Sequence, residues 1–181
     1  MRIVIDTCVL YPTVMREMVL GVAETGAFDP IWSERILEEW ARAARKIGPT
    51  GEAQARAEIA LVSAAFPRAR VSVPAGLASR LWLPDDNDVH VLAASVAASA
   101  DAIMTLNKKD FPHSLLAEEG VERLDPDGYL HGLWLDDATA VEAVARRVLT
   151  QAQELSGQDW DIRSLLKKAR LPRLAKALGT A

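Results

Sequence analysis

The chain has 181 residues, half of them hydrophobic and a quarter charged, with a net charge of −4. That profile predicts one soluble globular domain with room for a small appendage, and no apolar run of 18 residues exists to cross a membrane. The single cysteine, Cys8, excludes an internal disulfide, and Met1–Asp6 is too short and polar for an export signal, so a reducing cytoplasm is the expected compartment.

The acidic balance argues against a nucleic-acid binder that ignores sequence and shape, but the charge is unevenly spread. Residues 163–181 hold six of the 21 Lys and Arg and none of the 25 acids, which leaves fifteen bases against 25 acids ahead of them. Two readings of that basic tail are open: a solvated helix face over docked leucines, or a surface that holds phosphates.

In chain order, residues 2–5 read as a buried strand ending at Asp6. A turn over 7–11 leads through Pro12 into a helix over 13–25 that Gly26 ends. A second strand is predicted over 28–32, and Ser33 caps a helix over 34–46 whose apolar stripe includes Ile36, Trp40, Ala43 and Ala44. Glu39 borders that stripe; Glu38 and Arg42 turn away. Gly48-Pro49-Thr50-Gly51 is a break, followed by a helix over 52–66, a strand over 70–73 and a helical turn within 74–83. An acidic run, Asp85, Asp86, Asn87 and Asp88, opens a helix rich in Ala and Val, and a strand over 102–106 ends in Asn107-Lys108-Lys109-Asp110. A helix over 113–119 and a strand over 121–124 complete the alternation. After Asp125 only helices are legible, over 138–155, over 160–169 and after Pro172. The expectation is an α/β fold, a three-layer α/β/α sandwich on a mainly parallel sheet over 1–125, with a helical extension over 126–181.

A helix packed on a parallel strand returns its start to the edge where the strand ends, which is where open α/β sheets bind ligands. Asp6, Glu39, Asp88 and Asp110 fall at strand ends or helix margins that one such edge gathers. Carboxylates brought together repel unless a cation lies between them. Oxygen ligands favour Mg²⁺ or Mn²⁺, and His90, His113 and His131 are too isolated to suggest zinc. Such a site suits phosphodiester hydrolysis by metal-activated water.

MRIVIDTCVLYPTVMREMVL, WSERILEEWAR, PDDNDVHVLAASV and ADAIMTLNKKDFP, in that order, resemble the successive motifs of PIN-domain ribonucleases. The likeness is nearest to the VapC-type toxin branch with a helical C-terminal extension. It implies that Asp6, Glu39, Asp88 and Asp110 are the catalytic and metal-binding acids, with Mg²⁺ or Mn²⁺ as cofactor. It implies that Asp85 matches an acid often found ahead of the helix, and that Asn107 stands where many PIN domains carry aspartate. Thr105 and Asn107 orient ligands by hydrogen bonding. The resemblance further implies an RNA substrate, a cognate antitoxin of a type II pair and a homodimer. Arg16 matches a basic position of this branch and contacts RNA phosphate or pairs with an acid; Lys108, Lys167, Lys168 and Arg170 are further candidates for RNA contact.

Plainer readings stand beside each pick. Asp6 is a turn residue, Asp85–Asp88 an N-cap cluster, Asp110 a cap, Glu39 a surface acid, Cys8 a small buried residue and His90 a solvent-facing or core histidine. Two alternatives also remain at this level: a catalytically inactive PIN-like module that binds RNA or protein, and a phosphatase with an aspartate nucleophile. The phosphatase chemistry wants a second aspartate where this chain has Cys8.

Overall fold

Ile3, Val4 and Ile5 are fully buried, and the strand they build, β1 (Arg2–Ile5), is the middle of the sheet. In the computed structural model, which describes residues 1–179, it pairs in parallel with β2 (Asp29–Ser33) on one side and β4 (Ala102–Met104) on the other. The edges are β3 (Arg70–Val71) and β5 (Glu122–Leu124), giving the order β3-β2-β1-β4-β5, all parallel. Ile3 lies opposite Pro30 and Ala102. Pro30 is tolerated because β3 pairs only with Trp32 and Ser33, so β2 has one neighbour at the proline.

The chain moves outward from β1 through β2 to β3, then resumes on the other side of β1 with β4 and β5. That reversal makes the gap between the ends of β1 and β4 a topological switch point, the place where a parallel sheet leaves a crevice.

Packing divides the chain into two compact units: Met1–Tyr11 with Asp29–Leu124, and Pro12–Phe28 with the chain from Asp125 onward. The first contains the sheet and the helices α1 (Thr7–Leu10), α3 (Glu34–Ala43), α4 (Gly51–Ala65), α5 (Val89–Ala98) and α6 (His113–Glu118). Ser33 caps α3 by accepting from the Ile36 amide at 3.3 Å. Helix α5 is apolar all round, as a helix enclosed by protein must be, and it packs on β1, β2 and β4. Its left-handed C-cap, Ser99, turns the chain into Asp101, whose carboxylate accepts the Arg2 amide at 2.6 Å and so ties the entrance of β4 to that of β1.

The second unit consists of helices: α2 (Thr13–Glu24), α7 (Pro126–Asp136), α8 (Ala138–Ser156), α9 (Ile162–Lys168) and α10 (Pro172–Leu178). A Cβ on Gly21 would meet Val144 at 2.6 Å, so the glycine is what lets α2 and α8 approach this closely, and Glu24 accepts from Arg147 at 2.8 Å. Leu165, Leu166, Leu171, Leu174 and Leu178 are buried, as one reading of the basic tail expected.

The α/β class, the parallel sheet with flanking helices and the C-terminal helices match the sequence expectation. Differences are local. Residues 7–11, expected as a turn, form helix α1. Strands β3 and β4 are shorter than predicted. Helix α7 was not predicted: its apolar residues form no stripe, although Asp125 as N-cap, accepting from Gly128 at 3.1 Å, and Pro126 at the first position are its start signals. One boundary at 125/126 was expected, whereas Pro12–Phe28, threaded between β1 and β2, belongs with the C-terminal helices. Thr180 and Ala181, the end of the expected extension, lie outside the described residues.

Candidate active site

Asp6 occupies the end of β1 and Thr105 follows β4, and the Asp6 amide donates to Met104 O at 3.1 Å across the switch point. Thr105 is fully buried. Its hydroxyl donates to Asp6 Oδ2 at 2.6 Å and accepts from the Asn107 amide at 3.0 Å. The Asn107 side chain continues the chain of bonds: Nδ2 donates to Asp88 Oδ2 at 2.9 Å, and Oδ1 accepts from the Asp110 amide at 3.3 Å. Asp6, Thr105, Asn107, Asp88 and Asp110, drawn from three distant stretches, therefore share one network.

The tightest acidic group is Asp85, Asp88 and Asp110, each offering a carboxylate oxygen within 4.8 Å of the others. Asp88 is the N-cap residue of α5 but makes no side-chain cap bond, so its carboxylate is not spent on the helix. Partial burial first, then the charges of Asp6, Asp85 and Asp110, push the Asp88 carboxyl up to about 6. Uncompensated negative charge in a set of oxygen donors fits a hard divalent cation such as Mg²⁺ or Mn²⁺. Asp85, expected in support, is thus a direct member of the acidic trio. Its Oδ1 also accepts from the amide and the side chain of Asn87, both at 2.9 Å, which shapes the loop.

Glu39 is not in the trio and is held by other partners. His90 Nε2 lies 2.8 Å from its Oε1, Arg35 Nε 3.4 Å away, and Thr7 Oγ1 donates to Oε2 at 3.3 Å. Burial pushes the Glu39 carboxyl up, but the His90 hydrogen bond and charge, followed by Arg35, outweigh it and hold Glu39 below the usual carboxylate range. Glu38, one residue earlier, is engaged by Arg42 and Arg56 at the surface.

The sequence did not foresee His90 as the partner of Glu39. The only signal was position, two residues after Asp88 in the first turn of a helix otherwise closed to solvent. Arg35 was legible as the residue four before Glu39, a spacing that brings side chains together on a helix; its guanidinium also reaches Asn87 O at 3.4 Å. Cys8 donates to Asp6 Oδ2 at 3.0 Å and accepts from the Leu106 amide at 3.3 Å. Burial and the Asp6 charge push its thiol up to about 12, so it stays protonated as a donor.

Arg16 needs a correction. It was expected against RNA phosphate or an acid, and it is 2% exposed with Nε 3.6 Å from Glu17. Burial withholds it from RNA; the acid pairing is what remains. Lys108 is exposed, as are Lys167, Lys168 and Arg170 of the second unit, where Lys168 Nζ sits 4.8 Å over the Trp160 ring. Among the described residues no helix is long and apolar enough to cross a membrane.

A family model described as PIN domain matches residues 2–109. No curated protein matches the chain, and no solved structure does. PIN domains are generally nucleases that use divalent metals, and this chain carries an acidic group able to bind one.

Proposed function

We propose that this chain, which belongs to the PIN-domain family, is an endoribonuclease dependent on Mg²⁺ or Mn²⁺ and the toxin of a type II toxin–antitoxin pair. The observation that carries the catalytic part is the trio of carboxylates within 4.8 Å at the switch point of the sheet, with Asp88 pushed up to about 6 by burial and by the charges around it.

Asp85, Asp88 and Asp110 would hold the metal, with Asp6 adding charge from the end of β1 and Glu39 completing the acidic set. When bound, the divalent ion supplies Lewis acidity that activates water and offsets charge on the phosphate. The protein supplies orientation. Thr105 and Cys8 both donate to one oxygen of Asp6 and so fix the carboxylate. Asn107 fixes one oxygen of Asp88 and, through the Asp110 amide, the start of the next turn. As an uncharged residue among carboxylates, it lowers the repulsion the metal must overcome. His90 and Arg35 keep Glu39 ionised. Lys108, Lys167, Lys168 and Arg170 would add salt-dependent affinity for RNA, and replacing them with Gln should flatten the dependence of affinity on salt.

Cleavage by activated water needs no 2′-hydroxyl, so the products carry a 5′-phosphate and a 3′-hydroxyl. The test is cleavage of single-stranded and structured RNA with Mg²⁺ or Mn²⁺, with EDTA as control and the product ends sequenced. Cleavage that survives EDTA, ends bearing 2′,3′-cyclic phosphate, or full activity in Asp88→Asn would each sink the mechanism. The toxin role is tested by induced expression: growth arrest that Asp88→Asn abolishes supports it, and unaffected growth refutes it. A phosphatase is disfavoured because Cys8, pushed up to about 12, is a poor acid at the position where that chemistry wants an aspartate.

A further inference from the structure

Trp82 is 62% exposed, flanked by Leu81 and Leu83, which are 9% and 1% exposed. Trp82 faces solvent while the leucines on either side of it face the core, the alternation of a short extended segment that follows a helical turn over Ala78–Arg80. Trp82 is therefore displayed on an anchored backbone. Its situation is also unlike that of the other four tryptophans. Trp32 and Trp40 are buried. Trp134 and Trp160 are half-buried, and their indole N–H groups bond to Glu142 and Ser156. Among the described residues Trp82 alone of the five has no hydrogen bond, ring contact or cation–π partner.

Trp82 lies three positions before Asp85 of the acidic trio. An extended chain spans at most roughly 10 Å over that distance, the length of about three stacked nucleotides at roughly 3.4 Å each. Arg80, exposed two residues earlier at the end of the helical turn, engages no carboxylate among the described residues. RNA approaching a cluster of carboxylates is repelled through its phosphates, so affinity there must come largely from uncharged contacts. A nucleobase face on an indole is such a contact, and it tolerates any base.

We propose that Trp82 is a stacking platform for a nucleobase of single-stranded RNA lying across the acidic trio, with Arg80 contacting an adjacent phosphate. This deepens the nuclease reading and rests on it. The platform sets which strand conformation reaches the carboxylates: an unpaired base within a few nucleotides of the scissile phosphate.

The experiment uses the full chain and its variants Trp82→Ala, Trp82→Phe, Trp82→Leu and Arg80→Gln, all at exposed positions. Binding of a fluorescein-labelled single-stranded RNA of about 12 nucleotides is followed by anisotropy in Ca²⁺ over a range of salt. Trp82→Ala should weaken binding about tenfold or more with the salt slope unchanged. Trp82→Phe should restore most of the loss and Trp82→Leu should not, and Arg80→Gln should reduce the slope. Equal affinity of wild type and Trp82→Ala, or equal rescue by Leu and Phe, overturns the platform; in the first case the ring is left as a contact for a protein partner. Mg²⁺-dependent cleavage of the same RNA is measured in parallel. If the wild type does not cleave, the nuclease reading falls; if it cleaves while all the affinities agree, only the platform falls.

Discussion

His90 Nε2 lies 2.8 Å from Glu39 Oε1; His90 follows Asp88 by two residues, and Glu39 accepts from Thr7, the residue after Asp6, at 3.3 Å. The histidine is 7% exposed and among the described residues its Nδ1 has no hydrogen-bond partner, so there its bond to Glu39 is the side chain's single polar anchor.

Replacing His90 with Ala should release Glu39 and leave burial as the larger influence on its carboxyl, raising its proton affinity. Loss of such an orienting partner typically costs about 10- to 100-fold in metal affinity or activity. His90→Gln, which keeps an N–H donor, should recover part of it. The measurement is Mg²⁺ titration of cleavage at fixed RNA. An Ala variant with the wild-type metal dependence would show that His90 is only packing.

Asp88 has a folded-state proton affinity above its unfolded one, about 6 against 3.8. The folded protein therefore binds the extra proton, and stability falls as pH rises from about 4 through about 6. Asp88→Asn removes that penalty. With EDTA present, the variant should melt above wild type at pH 7 and the gap should close near pH 4. Adding Mg²⁺ should raise the wild-type melting temperature at pH 7 and leave the variant nearly unmoved. A variant less stable than wild type at pH 7 without metal would contradict the account of repulsion.

Thr105 carries the centre of the network on one hydroxyl. Thr105→Val preserves shape but leaves Asp6 Oδ2 with the Cys8 thiol alone and strands the Asn107 amide, a cost of about 1–3 kcal/mol. Urea unfolding at constant m-value reads it. Thr105→Ser should recover most of the loss; a Val variant as stable as wild type would mean that both partners find replacements.

The parts of this chain legible in its sequence were those that depend on local pattern. The strand of Ile3–Ile5, the Ser33 cap and the apolar helix after Asp88 each show their cause within a few residues. Asp6, Asp88 and Asp110 were legible as acids at element ends, because a parallel sheet returns those ends to one edge. What was not legible depends on distance in sequence: the Thr105 hydroxyl choosing Asp6, His90 choosing Glu39, and helix α2 packing with the C-terminal helices. Arg16 misled for the same reason. On a helical wheel an arginine reads as a surface charge, and only tertiary packing buries it. Helix α7 failed differently, since its cap was local but its apolar residues lacked the period that marks a helix.

Asp127 is the strongest example of a residue whose role is set from afar. It is 5% exposed, and its carboxylate accepts from the Arg173 amide at 2.9 Å and the Leu174 amide at 3.1 Å. Helix α10 begins with Pro172, which has no N–H to satisfy, and its N-cap residue Leu171 offers no side-chain acceptor. Asp127, in the first turn of α7, supplies the missing cap across 46 residues of chain. Asp127→Ala should cost about 1–3 kcal/mol, because one buried and one part-buried amide lose their acceptor. Asp127→Asn should recover most of it, since its one carbonyl oxygen can accept from both amides, as Oδ1 does here at 3.1 Å. The comparison is Asp161→Ala, which removes an exposed cap, the bond to Ser164 N at 2.9 Å, and should cost about 1 kcal/mol. If thermal melts place Asp127→Ala at or above Asp161→Ala in stability, the buried cap contributes no more than an exposed one, and α10 is held by its leucines alone.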